Sequence, residues 1–312
     1  MGDFKMRRYI WLSLFLLLSC SQSDTNTGLI QDKNRGRNIE YQVWQPSNLN
    51  GTYPLILLSH GSGGDPSNHI WLINSLVENG YLVAAPTHPL NNTRDNSDIG
   101  VISVWERPAD LSLMLDTLLG KSVWSSHIDP DRIGAAGFSS GGYSVISLGG
   151  ALYDWEMFKE YCNGESKGPD CSLAEGSSGI DFAGSSISYK DERIKAIFAM
   201  APAVGPAITE DSLKSITVPV LITASKDDEL VLPEFHALRY ANHIPGSELE
   251  LLEIGGHFIF LECNIVTHVA DWFIKELDLC GKAFNVDRGK IRREVADSAI
   301  KFFELHIGES SP

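Results

Sequence analysis

The stretch Arg132-Ile-Gly-Ala-Ala-Gly-Phe-Ser-Ser-Gly-Gly-Tyr143 decides the fold. Its first part is an apolar run typical of a buried strand, and a helical pattern begins just after Ser139. Gly137 and Gly141 flank this serine in a G-x-S-x-G pattern, which between a strand and a helix predicts a sharp turn that exposes the hydroxyl. A Cβ at either glycine would collide with the backbone of so tight a turn. The stretch therefore favours a nucleophilic serine at the edge of a sheet.

Apolar runs with strand character recur on both sides of this stretch, with helical patterns between them. Several runs are unbroken rather than alternating, as expected of strands covered on both faces. Regular alternation of strands and helices predicts an α/β fold with a mostly parallel central sheet and helices on both faces. We predict strands at residues 39–44, 55–59, 81–85, 133–137, 194–200, 220–224 and 249–254, and helices at 68–79, 107–119, 141–151, 234–242, 264–278 and 287–307.

A glycine-rich turn, His60-Gly-Ser-Gly-Gly64, follows the predicted strand at residues 55–59. Such a turn can aim backbone N–H groups at an oxyanion. A phosphate-binding loop is the alternative, but the turn matches neither G-x-x-x-x-G-K-[ST] nor G-x-G-x-x-G. We therefore predict that the N–H groups of Ser62 and Ser140 form an oxyanion hole.

Two carboxylates follow a later strand, and one of them could be the acid that a nucleophilic serine and its base require. A serine hydroxyl is hardly ionised near neutral pH, so it needs a base, and the base needs an acid that orients it. Asp227 and Asp228 come directly after the predicted strand at residues 220–224. We favour Asp227 because it lies three residues beyond Ala224, where the strand should end, and Asp228 remains the alternative.

The predicted base is His257, which follows the strand at residues 249–254 in a Gly-Gly-His turn. A histidine bonded only within its own loop is the alternative for this residue. His60 and His88 also follow strands, and His88 within Ala-Pro-Thr-His-Pro is expected to be a structural loop residue. Ser139, an aspartate and His257 then occur in this chain order, each after a strand.

Composition excludes several classes of protein. The chain has 312 residues, of which 43% are hydrophobic and 21% charged, so disorder, collagen and coiled coil are excluded as its main architecture. Lys+Arg 25 against Asp+Glu 40 gives a formal net charge of −15, which argues against nucleic acid as a partner because it would repel phosphates. Length alone allows one large domain or two small ones.

The amino terminus has the features of an export signal. Basic residues precede the apolar run at residues 9–18, which is too short to span a bilayer, and the run closes on Leu17-Leu-Ser-Cys20. This ending resembles a bacterial lipobox, which implies cleavage of residues 1–19, lipid attachment at Cys20 and anchorage to a bacterial membrane, at its periplasmic face or the cell surface. A plain secretory signal is the alternative. Residues 20–37 are predicted to be a flexible tether.

Four further cysteines fit an oxidising compartment. They allow three pairings, of which we favour Cys162–Cys171 and Cys263–Cys280 because each closes a short loop. A zinc site is the competing interpretation, but the spacings lack the tight Cys-x2-4-Cys knuckle.

Residues 153–192 interrupt the alternation of strands and helices. They are rich in glycine and serine, contain two of the cysteines and show no sustained periodicity, which predicts an insertion. Its position after the helix that follows Ser139 is consistent with a small, disulfide-pinned lid over the active edge of the sheet. A disulfide-pinned surface loop without such a role is the alternative.

Ser139 in its turn, His60-Gly61, Asp227 and Gly256-His257 together resemble the α/β-hydrolase superfamily. More narrowly, the chain resembles predicted dienelactone hydrolases, a group similar to platelet-activating-factor acetylhydrolases and bacterial polyesterases. The resemblance implies an α/β-hydrolase domain over residues 38–312. Further stretches fit that pattern: Arg107-Pro-Ala-Asp110, Arg193-Ile-Lys-Ala-Ile197, Ala201-Pro202 and His257-Phe258 followed by Cys263.

One residue departs from the pattern of this group. Phe138 stands where many members carry histidine, and we expect it to shape a pocket wall without touching the triad. Large aromatic residues elsewhere are candidates for an acyl or aromatic pocket, with core packing as the alternative: Trp71, Trp105, Trp155 and Phe258.

The resemblance and the triad candidates together predict a serine carboxylic-ester hydrolase that acts through an acyl-enzyme intermediate, without metal or organic cofactor. Its substrate would be a small-molecule or polymeric ester. Peptidase, lactonase and polyester hydrolase use the same machinery and remain open. A surface binding protein without turnover is the alternative from a different class, because a fold does not dictate function. Acyl length and oligomeric state stay open.

Overall fold

The computed structural model describes residues 26–120, 122–165, 167–172, 177–263, 279–280 and 286–308. The predicted signal peptide at residues 1–19, the lipid attachment site Cys20 and the predicted helix at 264–278 lie outside the described residues. Among the helices of the described part, none is both long and apolar enough to cross a membrane.

An eight-stranded sheet forms the centre of the molecule, in the order β1-β2-β4-β3-β5-β6-β7-β8. The pairs β1–β2 and β2–β4 are antiparallel, and all the others are parallel. The predicted α/β architecture with a mostly parallel sheet is confirmed. The strands are β1 (Asn26–Asp32), β2 (Arg37–Trp44), β3 (Tyr53–Ser59), β4 (Leu82–Thr87), β5 (Ile128–Phe138), β6 (Ile194–Met200), β7 (Val220–Ser225) and β8 (Glu248–Leu252).

Helices cover both faces of this sheet. The first and last pack on one face, with Leu72 and Phe303 buried there, while Leu115, Ile146 and Tyr240 bring three others to the opposite face. The described helices are α1 (Ile70–Glu78), α2 (Asp98–Ile102), α3 (Glu106–Leu119), α4 (Ser140–Leu148), α5 (Trp155–Asn163), α6 (Glu210–Lys214), α7 (Ala237–His243) and α8 (Arg288–Ile307).

The unbroken apolar run of β3 follows from this layering. Successive side chains of a strand point to opposite faces, so Leu55 and Leu57 enter one core while Ile56 and Leu58 enter the other. All four side chains are fully buried. The carboxyl ends of the parallel strands meet at one edge, and their loops can therefore be brought together there.

Strand β1 corrects the predicted tether. Residues 20–37 were expected to be flexible, yet Asn26–Asp32 pair along their whole length with β2, from Asn26 opposite Val43 to Asp32 opposite Arg37. The prediction is wrong from Asn26 onward. The reason is that backbone hydrogen bonds hold an edge strand, and a polar sequence forms them as well as an apolar one. Among residues 27–32, whose burial is described, only Ile30 is buried.

The insertion at residues 153–192 contains a helix that its composition concealed. Asp154 caps α5 by accepting hydrogen bonds from the N–H groups of Glu156 and Met157. The stacked rings of Trp155 and Phe182, 4.2 Å apart, hold two distant parts of the insertion together. Both predicted disulfides, Cys162–Cys171 and Cys263–Cys280, are present, so the sulfur atoms are bonded to one another and are not thiolate ligands of a zinc ion. The insertion is thus pinned as predicted.

Candidate active site

Ser139 occupies the tight turn between β5 and α4. Its backbone has φ +56° and ψ −120°, a strained conformation that residues other than glycine rarely adopt. A Cβ at Gly137 would lie 2.2 Å from the carbonyl oxygen of Gly141, and a Cβ at Gly141 would lie 2.0 Å from that of Ser59. The turn can therefore form only with glycine at both positions, as the pentapeptide pattern predicts.

Backbone hydrogen bonds hold this strained turn from the adjacent strand. The N–H of Ser139 donates to the carbonyl of Met200 at 2.9 Å, and its carbonyl accepts from the N–H of Ala203 at 3.0 Å. Both partners belong to the end of β6 and the loop after it. The position of the serine is thus fixed by the sheet and not by its side chain.

His257 lies between Ser139 and a buried carboxylate. Its Nε2 is 3.0 Å from the Oγ of Ser139, and its Nδ1 is 2.7 Å from the Oδ2 of Asp228. An ionised carboxylate can only accept, so Nδ1 carries the proton and Nε2 is free to accept from the serine hydroxyl. This is the tautomer that a general base requires.

The carboxylate belongs to Asp228, and the choice of Asp227 was wrong. Strand β7 continues to Ser225, one residue beyond the predicted end, so the position three residues after it is 228. Asp228 is 3% exposed, whereas Asp227 is only partly buried and its N–H donates to the Oγ of Ser225. The other oxygen of Asp228 accepts from the N–H groups of Leu230 and Val231, which fix its orientation.

A glycine turn brings His257 to this position. Gly255 and Gly256 have φ values of +144° and +64°, which favour glycine, and they reverse the chain after β8. The N–H of Gly256 donates to the Oγ of Ser225 at 3.1 Å. The loops that carry the histidine and the aspartate are therefore joined directly.

The glycine-rich loop after β3 passes beside Ser139. A Cβ placed on Gly61 would lie 3.6 Å from the Cβ of Ser139. Asn91 holds the next residues, because its Oδ1 accepts from the N–H of Gly63 at 3.0 Å and its Nδ2 donates to the Oγ of Ser62 at 3.1 Å. Sequence reasoning missed Asn91, which lies in a loop without any local pattern.

Ser140 supplies the other predicted oxyanion donor. It is the first residue of α4, and the N–H groups in the first turn of a helix have no acceptor inside the helix. The structure thus brings both predicted donor segments to Ser139, as an oxyanion hole requires. The role of Ser62 and Ser140 in binding an oxyanion stays a prediction.

Two other histidines near the site, His60 and His88, are fully buried and bond the backbone or each other. The Nε2 of His60 accepts from the N–H of His88 at 3.2 Å, so Nδ1 of His60 carries the proton and donates to the carbonyl of Gly61 at 2.7 Å. Burial, and then the charge of Arg107, lowers the pKa of His60 well below its usual value. His60 is therefore neutral near pH 7 and serves as a fixed donor to the glycine-rich loop.

Phe138 contacts His257, contrary to the expectation that it would not touch the candidate triad. Its ring centroid lies 4.9 Å from that of His257, so it forms one wall against the imidazole. The side chain that precedes Ser139 points to the same side as His257, a relation that only the folded turn reveals. Phe258 packs against His257 from another side, with ring centroids 5.1 Å apart.

The remaining aromatic candidates have different environments. The indole N–H of Trp71 donates to the carbonyl of Phe260 at 2.9 Å. Trp105 is buried against Tyr153 and the insertion. Trp155 lines an apolar pocket to whose wall the insertion contributes.

This pocket begins at the loop after β6, which is bonded to Ser139. Ala203, whose N–H bonds the carbonyl of Ser139, and Val204 form part of its wall. Residues at the end of α2 and just after it, together with residues of the insertion, form the rest of its lining: Val101, Ile102, Val104, Tyr153, Trp155, Phe158 and Asp170. Apart from Asp170 these side chains are hydrocarbon or aromatic, so the pocket suits an apolar group.

No protein-family model and no curated protein sequence matches the chain. Among solved structures, a ferulic acid esterase from Streptomyces cinnamoneus is similar with a TM-score of 0.61 and 19% identity, over 92% of this chain and 90% of that one. The chain has the α/β-hydrolase fold. An identity this low establishes the fold alone.

Two longer proteins contain the same α/β-hydrolase fold. One is a Bacteroides ovatus protein assigned as a dipeptidyl aminopeptidase IV, with a TM-score of 0.53, 13% identity and coverage of 91% of this chain and 36% of that one. The other is a puromycin-hydrolyzing peptidase from Mycobacterium tuberculosis, with a TM-score of 0.56, 12% identity and coverage of 92% and 40%. The chain therefore spans less than half the length of these two neighbours.

Proposed function

We propose that this α/β-hydrolase hydrolyses carboxylic esters through an acyl-enzyme formed on Ser139. The observation that carries the proposal is the continuous hydrogen-bonded chain from the Ser139 hydroxyl through His257 to the Asp228 carboxylate, at 3.0 and 2.7 Å. Nucleophile, base and orienting acid are thus at the distances that proton transfer needs.

The chemistry follows from these positions. His257 Nε2 takes the proton of Ser139 as Oγ attacks the ester carbonyl, and Asp228 stabilises the imidazolium cation that results. Collapse of the tetrahedral intermediate breaks the bond to the alcohol oxygen, which receives the proton from His257. Water then attacks the acyl-enzyme with the same base, which releases the carboxylic acid and restores the serine.

The oxyanion of both intermediates would lie between the N–H groups of Ser62 and Ser140. Donors that are held in place before the reaction stabilise the developing charge without reorganisation. Asn91 holds the Ser62 segment, and the start of α4 fixes Ser140. The helix also begins beneath the serine, so its dipole favours negative charge at this point.

The apolar pocket would bind the hydrocarbon part of the ester. Its wall starts at Ala203 and Val204, next to the nucleophile, and continues to Trp155 and Phe158 of the insertion. We expect the disulfide Cys162–Cys171, at the end of the helix that carries both aromatic residues, to keep this wall in place. The insertion then acts as a fixed cover over the substrate.

Labelling with a fluorophosphonate probe tests the proposal. The wild-type protein should be labelled at one residue, Ser139, and should hydrolyse short p-nitrophenyl esters. The variant Ser139→Ala should lose both, whereas Ser125→Ala, which changes an exposed serine, should keep both. Absence of labelling in folded wild-type protein would favour the surface binding protein, and turnover of amides over matched esters would favour a peptidase.

We also propose that the mature chain is exported and tethered to a bacterial membrane by a lipid on Cys20. The support is the basic, apolar and Leu-Leu-Ser-Cys pattern of the first twenty residues. Incorporation of radiolabelled palmitate in a bacterial host should disappear in Cys20→Ala. Equal incorporation in this variant would contradict the proposal, and secretion of unlabelled wild-type protein would favour a plain secretory signal.

A further inference from the structure

Arg107, near the start of α3, is buried directly behind the active site. Its side chain is among the largest that are fully buried, and the residue is 1% exposed. One terminal nitrogen donates to the Oγ of Ser140, and the other lies 3.3 Å from the carbonyl oxygen of Gly61 and 3.1 Å from Nδ1 of His60. In the described residues it forms no ion pair with a carboxylate, although a buried charge is normally paired.

The acid on the same helix whose charge acts on Arg107 is already occupied. Asp110 is fully buried, and it accepts a bidentate pair of hydrogen bonds from Arg37 at 3.0 and 2.6 Å. Arg35 lies 2.9 Å from the same carboxylate, and His88 bonds it at 2.9 Å. Two arginines thus neutralise Asp110, and the charge of Arg107 faces only neutral groups at contact distance.

The bond to Gly61 acts on the peptide unit that ends in the N–H of Ser62. A trans peptide is planar, and its C=O and N–H groups point in opposite directions. Arg107 and the Nδ1–H of His60 both donate to the carbonyl of Gly61, at 3.3 and 2.7 Å. Donors on the carbonyl side therefore fix the direction of the N–H and polarise it, since hydrogen bonds in a chain strengthen one another.

The same guanidinium holds the second donor segment. Its bond to the Oγ of Ser140 fixes the residue whose N–H is the other oxyanion donor. The carbonyl of Ser140 is occupied as well, because it accepts from the Oγ of Ser144 at 2.7 Å. One rigid fork thus spans both halves of the hole, which lie about 80 residues apart in the chain.

We propose that Arg107 is a positioning residue that aligns the two halves of the oxyanion hole and supplies a buried positive charge behind it. The inference rests on the proposed ester hydrolysis and names a residue beyond the triad. Negative charge develops on the carbonyl oxygen only during the reaction, so a cation without a partner stabilises the transition state more than the bound substrate.

The charge state fits this role. Burial, opposed by the charge of Asp110, lowers the pKa of Arg107 to about 9, which keeps the side chain cationic near pH 7. Low local polarity strengthens its interaction with an oxyanion.

The test compares Arg107→Gln and Arg107→Lys with the wild type on one p-nitrophenyl ester. Loss of one oxyanion donor lowers kcat by about 10²- to 10³-fold, so loss of the residue that aligns the donors should lower kcat by about 10- to 100-fold, with KM changed less than about threefold. Arg107→Lys should fall between, because it keeps the charge and loses the fork.

A trifluoromethyl ketone provides a readout that a merely structural role would not move. Addition of the Ser139 hydroxyl to its carbonyl creates an oxyanion in the same place as the intermediate. In every variant, the inhibition constant of the ketone should rise by the same factor by which kcat/KM falls. Arg37→Gln is the matched control: it removes a half-buried arginine that binds Asp110, and we expect a lower melting temperature with kcat within about threefold of the wild type.

Several results would overturn the inference. If the wild type is active and folded Arg107→Gln has the same kcat and the same affinity for the ketone, the inference is contradicted and the proposed function is left intact. Where that variant does not fold, unchanged values in Arg107→Lys contradict it instead. An equal loss of kcat in Arg37→Gln would also reject it, since general damage to the cluster would then explain the effect. A wild type without ester turnover or labelling would reject the proposed function itself.

Discussion

Two hydrogen-bonded chains of serine, histidine and aspartate lie close together in this molecule. In the first, Ser139, His257 and Asp228 are joined at 3.0 and 2.7 Å. In the second, the Oγ of Ser59 lies 2.9 Å from Nε2 of His88, whose Nδ1 is 2.9 Å from Asp110. Distances alone do not separate a candidate catalytic triad from a structural network.

The two serines differ in backbone and in access. Ser59 ends the regular strand β3 and is fully buried, so no substrate carbonyl can reach it. Ser139 has a φ of +56°, is 9% exposed and has the start of a helix beside it. A strained turn places the hydroxyl of Ser139 where a substrate and oxyanion donors can meet it.

The two aspartates differ in their partners. Asp110 is held by Arg35 and Arg37, whereas Asp228 accepts only from His257 and two backbone N–H groups within the described residues. The charge of Asp110 is therefore used by the arginines, and that of Asp228 is available to stabilise an imidazolium. Burial and the nearby arginines lower the pKa of His88 well below its usual value, which disfavours the same proton transfer there.

The largest expected effect separates the two serines. Ser139→Ala should lower kcat on a short p-nitrophenyl ester by about 10⁶-fold, as loss of a triad nucleophile does. Ser59→Ala removes a hydroxyl that only bonds His88, so kcat should stay within about tenfold. Steady-state kinetics on both variants measures this, and a loss as large in folded Ser59→Ala would reverse the assignment.

The next effect separates neighbouring carboxylates. Asp228→Asn should lower kcat by about 10⁴-fold, because an amide that donates to Nδ1 stabilises the wrong tautomer of His257. Asp227→Asn is the matched control and should stay within about threefold of the wild type. The same kinetic assay compares them, and a greater loss in Asp227→Asn would restore the interpretation that the sequence suggested.

Asp110→Asn should affect folding more than chemistry. Loss of this carboxylate leaves Arg35 and Arg37 without their buried partner, so we expect the free energy of unfolding to fall by about 3–5 kcal/mol. Urea denaturation followed by fluorescence measures the change. Unchanged stability together with a triad-sized loss of kcat would show that Asp110, and not Asp228, serves the reaction.

The smallest effect concerns pH. Burial lowers the pKa of His69 to about 4, and the pKa values of His60 and His88 are also lowered. Below pH 6.5 the unfolded chain binds more protons at these sites than the folded one, so stability falls as the pH falls. For His69 the loss is about 1.4 kcal/mol per pH unit between pH 6.5 and about 4.

Melting temperatures between pH 7 and 4 measure this loss. His69→Phe should flatten the slope, because it removes one of the three groups, while Ser125→Ala, which changes an exposed residue that does not titrate in this range, should leave it unaltered. An identical slope in wild type and His69→Phe would contradict the role of His69.

Sequence reasoning was most successful where backbone geometry requires particular residues. Only glycine fits at positions 137 and 141, because a Cβ there would lie 2.0–2.2 Å from a backbone carbonyl oxygen, so the turn around Ser139 is visible in the sequence. It failed where the outcome depends on the exact end of a strand. Strand β7 ends at Ser225, one residue later than predicted, and the carboxylate that reaches His257 is therefore Asp228 and not Asp227. Strand β1 was missed because backbone pairing, and not an apolar pattern, holds it.

The sequence by itself determined the α/β architecture, the disulfide pairs and the candidates for nucleophile and base, because period, glycine placement and loop length are local properties. Only the tertiary structure decided that Asp228 bonds His257. It also showed that Ser59, His88 and Asp110 form a second, fully buried chain of the same hydrogen bonds. The position of Arg107 behind both candidate oxyanion donors is likewise visible only in the fold. These relations depend on which side chains are buried together and which charges are already paired, and both are properties of packing between distant parts of the chain.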